Sequence, residues 1–138
     1  MASLPASTLT EDQYLCIERE AATKSEFFDG QVFAMAGGSL NHSLLANRIG
    51  AILDRHLPPE CRAFNSDLRI KVAAAGLYTY ADCGVLCSKP QFHGKQQDCL
   101  LNPLLIVEVL SPSTEGYDRG KKFELYRTID SFRPSVPI

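Results

Sequence analysis

Residues 104–110 read Leu-Leu-Ile-Val-Glu-Val-Leu, an apolar run that contains a single carboxylate, Glu108. Seven residues without polar alternation predict a strand that is buried on both faces, at the centre of a sheet. An ionised glutamate there costs on the order of several kcal/mol of desolvation free energy unless something offsets its charge. An ion pair with Arg119 or Lys122, protonation, or a bound cation would each do so. From Glu108 alone, a buried ion pair and a functional site are equally supported.

The segments before this strand carry clear local signals. Thr10-Glu-Asp-Gln13 has the form of a capping box, which predicts a helix of about ten residues. Asp29-Gly30 between two aromatic and β-branched runs predicts a β-hairpin over residues 26–35. Ser39 is placed to cap a second helix that ends near Leu57, before two prolines. The apolar positions of this second helix repeat at helical spacing: Leu45, Ile49, Ile52 and Leu53.

The second half of the chain is predicted to be mostly sheet. Residues 68–72 alternate as a strand with one wet face, and a second strand covers residues 78–87. Residues 88–102 are polar and predict a loop, and residues 115–127 predict a last helix. The order of elements predicts an α/β or α+β domain over residues 1–138, with one mixed sheet and helices packed against it.

Composition restricts the class of protein. The 138 residues fit one domain, and the net charge of −2 counts against a tight non-specific DNA binder. No segment is long and apolar enough to span a bilayer, and the N-terminal residues lack the features of a signal peptide, so we expect a cytoplasmic protein. Five cysteines without an export signal predict free thiols. Zinc bound by Cys83 and Cys87, with Cys99 or His93, is disfavoured because no C-x-x-C pair is present.

A second carboxylate, Asp82, lies on the strand that precedes Glu108 in the chain. If the two strands are neighbours, both carboxylates come close together and cannot both stay ionised cheaply. A divalent cation would satisfy both, and oxygen ligands favour Mg²⁺ or Mn²⁺ over zinc. The alternative for Asp82 alone is a strand-end or turn aspartate.

Three further residues are candidates for the same site. Lys122 is expected to face the sheet, where a lysine can offset charge on a phosphate or activate a water molecule. Its alternative is a solvated helix face. Glu26 opens the hairpin, and His42 lies in the first turn of the second helix. The alternative for each is an exposed surface residue without a function. The chain has no nucleophile elbow, phosphate-binding glycine loop or H-E-x-x-H motif, which leaves metal-assisted hydrolysis.

Together these residues resemble the Uma-type restriction endonuclease family of bacteria. The matching stretches run from about Thr10 to Arg127 and read LTEDQYLCIE, KSEFFDGQVFAMAGGSLNHSLLANRIGAIL, FNSDLRIKV, YTYADCGVLC and LLIVEVLSPSTEGYDRGKKFELYR. The resemblance implies a restriction-endonuclease-like fold of the PD-(D/E)xK type, a metal-dependent endonuclease activity and DNA as substrate. It also leaves room for a homodimer.

The resemblance assigns roles to the candidate residues. It implies that the motif carboxylates are Asp82 and Glu108, which we expect to hold Mg²⁺ or Mn²⁺ with the carbonyl of Val109 as a further ligand. The motif lysine, expected at Leu110, is supplied instead by Lys122 on the helix. The resemblance also raises Glu26 and His42 as catalytic candidates, and Glu26 is a candidate further ligand.

Two departures from the family pattern are visible. Ala81 replaces the usual proline before the aspartate, and the residues after Ser131 do not continue into the expected strand. Pro134 and Pro137 are incompatible with a central strand, which predicts a domain without its C-terminal strands. The departure after Ser131 leaves one alternative to an endonuclease, an inactive remnant that acts as a binding module. The acidic charge balance leaves a second, a phosphodiesterase that acts on small molecules.

Overall fold

The computed structural model describes residues 2–3, 8–35, 37–110, 118–133 and 136–137. They form a mixed α+β domain, as predicted, with three α-helices and ten short strands in the described ranges. In chain order these elements are β1 (Ala2–Ser3), α1 (Glu11–Glu20), β2 (Ser25–Phe28), β3 (Gln31–Ala34), α2 (Leu40–His56), β4 (Arg62–Asn65), β5 (Arg69–Val72), β6 (Leu77–Tyr80), β7 (Cys83–Leu86), β8 (Cys99–Leu100), β9 (Leu105–Glu108), α3 (Phe123–Tyr126) and β10 (Val136–Pro137). A π-helical turn, Asp118–Lys122, leads directly into α3.

The strands form two sheets. The larger has the order β1-β3-β2-β6-β5-β8, and the smaller has the order β10-β9-β7-β4. Each sheet is mixed, because β8 runs parallel to β5 and β10 runs parallel to β9 while the other pairs are antiparallel. The prediction of one continuous strand over residues 78–87 was wrong: the chain bends at Asp82 and passes from the larger sheet to the smaller one.

The local signals in the first half of the chain give the predicted elements. Thr10 and Gln13 form the reciprocal capping box at the start of α1. Asp29 and Gly30 both have positive φ, 53° and 78°, as a two-residue turn between β2 and β3 requires. Ser39 Oγ accepts a hydrogen bond from the backbone of His42 and so begins α2.

The larger sheet has a different core on each face. Against one face, α1 packs Tyr14 on Phe27 of β2 and Tyr78 of β6. The opposite face packs against α3, with Ile70 of β5 and Tyr126 of α3 in the same buried cluster. Because side chains alternate along a strand, the residues next to Phe27 and Tyr78 point to the α3 side of the sheet.

A buried polar network fastens α1 to the sheet. Glu18 accepts hydrogen bonds from the backbone and hydroxyl of Ser25 and from the hydroxyl of Tyr80. Arg69 of β5 donates to Tyr80 and to Asp98 and is only 8% exposed. The predicted wet face of β5 is therefore largely covered, because this network occupies it.

Helix α2 lies over β4 and β7 of the smaller sheet. Its residues Ile49 and Leu53 are half-buried, whereas Leu45 and Ile52 of the predicted apolar stripe are exposed. The polar and small side chains of α2 form one wall of a cleft of about 1170 Å³, and the loop before β2 and strand β4 form the others. Asp82 and His42 line this cleft.

Two strands and a disulfide were not anticipated. Strand β4 lay in a segment with no prediction, and β8 interrupts the predicted loop 88–102. The expectation of free thiols was wrong for Cys61 and Cys87, which form a disulfide. The antiparallel pairing of β4 with β7 sets Arg62 opposite Leu86, so the next pair along brings the two sulfurs together. Because Cys87 is held in this disulfide, it is not available to bind zinc together with Cys83.

The predicted last helix is present where the structure describes it. The π-helical turn and α3 cover residues 118–126, and residues 115–117 of the prediction lie outside the described residues. Pro137 lies in β10, an edge strand, where a proline is tolerated. None of the described helices is long and apolar enough to cross a membrane.

Candidate active site

The buried half of the site is an ammonium group held between two carboxylates. Lys122 Nζ lies 3.1 Å from Glu26 Oε2 and 3.4 Å from Glu108 Oε1. All three side chains are at most 6% exposed. Glu26 reaches this position because its neighbour Phe27 faces α1, which leaves Glu26 on the α3 side of the sheet. The ion pair with Lys122, one of the alternatives for Glu108, is thus present, whereas the side chain of Arg119 lies outside the described part.

Two hydroxyl groups hold these carboxylates and were not identified from sequence as site residues. Tyr126 donates a hydrogen bond of 2.7 Å to Glu108 Oε1, and Thr79 of β6 donates to Glu26 Oε2. Burial, together with the nearby Glu108 carboxylate, raises the pKa of Tyr126 well above its ordinary value of 10, so its hydroxyl remains a donor. The helical spacing of Lys122 and Tyr126, four residues apart, was the available signal for Tyr126. No such sequence signal was available for Thr79, because its partner Glu26 lies on another strand.

The exposed half of the site surrounds Asp82. Strands β7 and β9 are antiparallel neighbours with Cys83 opposite Val107, and one further step along this register sets Asp82 opposite Glu108. Asp82 Oδ2 accepts a hydrogen bond of 2.6 Å from the backbone N–H of Val109. His42 Nε2 lies 3.3 Å from Asp82 Oδ1 and 3.0 Å from the carbonyl oxygen of Val109. The side chains of Asp82 and His42 are 19% and 24% exposed, so this half opens to the cleft.

The chemistry of these groups fits a hard divalent cation. Asp82 Oδ1 and the carbonyl oxygen of Val109 both contact His42 Nε2, and the Glu108 carboxylate lies on the adjacent strand. Glu26 and Glu108 share Lys122, and the strand register sets Asp82 opposite Glu108, so a cation beside Asp82 would offset the negative charge of these carboxylates. Within residues 8–35, 37–110 and 118–133, no three His, Cys, Asp or Glu side chains come together as a complete metal cluster. A cation there would therefore depend on the backbone carbonyl and on water for part of its coordination.

Cys83 follows Asp82 and its side chain is buried. Burial and the nearby carboxylates of Asp82 and Glu108 raise the pKa of its thiol to about 11. A buried thiol with such a pKa stays protonated at neutral pH, so it packs as a small apolar side chain.

Mixed sheets flanked by helices, with carboxylates and a lysine gathered where the chain bends between the two sheets, define a restriction-endonuclease-like domain. The structure described as "a putative nuclease belonging to DUF820 from Anabaena variabilis" shares this fold, with a TM-score of 0.69 and 20% identity. The superposition covers 86% of this chain and 68% of that one.

The chain belongs to the Uma2 family, whose description is "Putative restriction endonuclease" and whose model matches residues 11–131. It is 43% identical to "Uncharacterized protein slr1290" of Synechocystis sp. over 125 residues, which are 90% of this chain and 65% of that protein. It is 41% identical to "Uncharacterized protein sll1609" of the same organism over 94% of this chain and 74% of that protein. The chain thus spans about two thirds of the length of the first of these relatives.

Proposed function

We propose that this chain is a divalent-metal-dependent endonuclease that hydrolyses phosphodiester bonds in DNA. The observation that carries the proposal is the position of Lys122, whose buried ammonium group joins Glu26 to Glu108 beside Asp82. Membership of the Uma2 family supports the reaction class. The domain has a lysine and several carboxylates in one small space, which is the composition that metal-assisted phosphodiester hydrolysis uses.

We assign each residue a role that its contacts support. Asp82, Glu108 and the carbonyl oxygen of Val109 would hold Mg²⁺ or Mn²⁺, and Glu26 is placed to complete the charge balance around Lys122. When bound, the cation would supply charge neutralisation for the phosphate and activation of a water molecule. Lys122 would then stabilise the negative charge that develops on the phosphate as the water attacks. Tyr126 and Thr79 hold the carboxylates in place through their hydroxyl groups.

The cleft supplies the route to this centre. The side chains of Glu26, Glu108 and Lys122 are buried, whereas Asp82 and His42 line the cleft. A phosphodiester would therefore approach from the α2 side and meet Asp82 first. The cleft is also lined by Lys24, a cation near the opening, and by Asn47 and Asn65, which offer amide hydrogen bonds.

The direct test is nicking of supercoiled plasmid in Mg²⁺ or Mn²⁺ by purified protein. Wild type is compared with Asp82→Asn and Glu108→Gln, which keep the size of each side chain, and with Asp67→Asn as a matched control. Asp67 is an exposed carboxylate that pairs with Lys24. We expect wild type and the control to cut, and both site variants to lose on the order of 100-fold in rate or more. Equal cutting by all four proteins would contradict the proposal.

Two further experiments distinguish the endonuclease from the small-molecule phosphodiesterase and from the binding module. Cleavage of a chromogenic phosphodiester but not of plasmid would indicate a small-molecule phosphodiesterase. Binding of DNA without cutting, in a chain that unfolds cooperatively and gains no thermal stability from Mg²⁺ or Mn²⁺, would indicate a binding module.

A further inference from the structure

His42 is held in a fixed position at the edge of the cleft. Its backbone N–H donates to Ser39 Oγ at 3.2 Å, which sets the first turn of α2. Its ring lies against Gly38, where an added Cβ would stand 2.9 Å from Nδ1 and 3.2 Å from Cγ. A glycine at position 38 therefore clears the space that the ring needs. The ring is thereby placed with Nε2 directed at Asp82 and Val109.

The distances around Nε2 are those of neighbouring ligands on one cation. Ligands at about 2.1 Å from an octahedral ion stand about 3 Å from each other when they occupy adjacent corners. His42 Nε2 lies 3.0 Å from the Val109 carbonyl oxygen and 3.3 Å from Asp82 Oδ1. Asp82 and His42 line the open cleft, where an ion that keeps several water molecules has room.

A purely orienting role for His42 is the competing explanation, since Nε2 could simply donate to both oxygens. Asp82, however, is already oriented by the short hydrogen bond from the Val109 N–H to its other oxygen, Oδ2. Val109 is in turn fixed by the buried strand β9 that precedes it. The imidazole therefore adds little to the alignment of these two groups, and a ligand role accounts better for its convergence with them.

We propose that His42 Nε2 is a ligand of the divalent cation, beside Asp82 Oδ1 and the carbonyl oxygen of Val109. This inference rests on the proposed metal-dependent function. An imidazole nitrogen binds first-row transition ions better than it binds Mg²⁺, which prefers oxygen and gives up water reluctantly. The nitrogen shifts the selectivity of the site from Mg²⁺ toward a transition ion, for which Mn²⁺ is the probe.

The test is a spectroscopic measurement on the Mn²⁺ complex of the full chain. Pulsed electron paramagnetic resonance detects a nitrogen bound directly to Mn²⁺ through its ¹⁴N coupling. We expect this coupling in wild type and in His56→Gln, and its loss in His42→Gln. His56 is the matched control because it lies on the same helix, is exposed and contacts only the backbone of its own helix in the described structure. Protein labelled with ¹⁵N-histidine must show the corresponding ¹⁵N coupling, which requires no substitution.

Calorimetric titration supplies the second readout. His42→Gln should lower the affinity for Mn²⁺ by at least about tenfold and the affinity for Mg²⁺ by clearly less. Mn²⁺ that binds in an Asp82-dependent manner without nitrogen coupling would overturn the ligand role of His42 and leave the proposed function intact. No binding of Mn²⁺ to wild type would overturn both.

Discussion

The hydroxyl of Tyr126 donates a hydrogen bond of 2.7 Å to Oε1 of Glu108, and neither side chain has appreciable contact with solvent. The contact joins α3 to the central strand β9. It is made by the same carboxylate oxygen that faces Lys122. One oxygen of Glu108 thus receives two donors from α3 and its preceding turn, so the position of this carboxylate depends on how α3 packs.

Tyr126→Phe should weaken both folding and metal binding. A buried hydrogen bond to a charged acceptor contributes about 1.5 to 3 kcal/mol, and the loss of the hydroxyl leaves Glu108 with one donor fewer. Loss of a group that orients a ligand lowers metal affinity by about 10- to 100-fold. Urea unfolding and Mn²⁺ titration measure the two effects. Tyr80→Phe, which removes a similar hydrogen bond to Glu18 on the other face of the sheet, should lower stability alone. Loss of metal affinity in both variants would contradict this assignment.

Lys122→Met should be more damaging than any substitution of a neighbouring lysine. It leaves the carboxylates of Glu26 and Glu108 buried without their shared cation, at a cost of about 3 to 5 kcal/mol in unfolding free energy. Lys121→Met is the control, because Lys121 is exposed and its ammonium lies over the Phe28 ring at 4.7 Å. Denaturant unfolding of both variants at one pH gives the comparison. Equal stabilities would show that the buried ion pair contributes nothing.

Acid should destabilise the fold partly through Asp98. Hydrogen bonding to Arg19, assisted by the charge of Arg69, lowers the pKa of Asp98 well below its ordinary value of 3.8. Because the folded state binds this proton less readily than the unfolded state, the stabilisation is complete above about pH 4 and is lost as the pH falls toward the depressed value. The urea midpoint of wild type should drop more between neutral and acidic pH than that of Asp98→Asn. Parallel curves would exclude this contribution.

Reduction of the disulfide between Cys61 and Cys87 should loosen the edge of the smaller sheet. The bond joins the residues before β4 and after β7 and closes a loop with a sequence separation of 26. A crosslink of this span stabilises a fold by about 3 kcal/mol. Unfolding with and without a phosphine reductant measures the effect. Cys16→Ser, at an exposed free thiol, should leave the difference between the two conditions unchanged.

Short-range signals were sufficient for much of the fold. The capping box at Thr10, the Asp29-Gly30 turn and the cap at Ser39 each depend on residues within one turn of chain, and each produced the predicted element. The buried strand around Glu108 was also predicted correctly, because a short continuous apolar run is typical of a strand that is buried on both faces. The same run made Glu108 conspicuous as a site residue.

Long-range relationships could not be read in this way. Strand β4 is short and half-exposed, so only its pairing with β7 defines it, and the partnership of Cys61 with Cys87 follows from that register. The bend at Asp82 separates two strands that look continuous in sequence. The expected homodimer, the cytoplasmic location and the absence of C-terminal strands stay predictions.

The distribution of the site along the chain has a consequence for synthesis. Glu26 and Thr79 are made early, whereas Lys122 and Tyr126, which close the centre, come late. A growing polypeptide therefore exposes two carboxylate-bearing strands before the ammonium that joins them exists. Under the proposed mechanism, a nascent chain lacks its complete centre until α3 has emerged from the ribosome and docked.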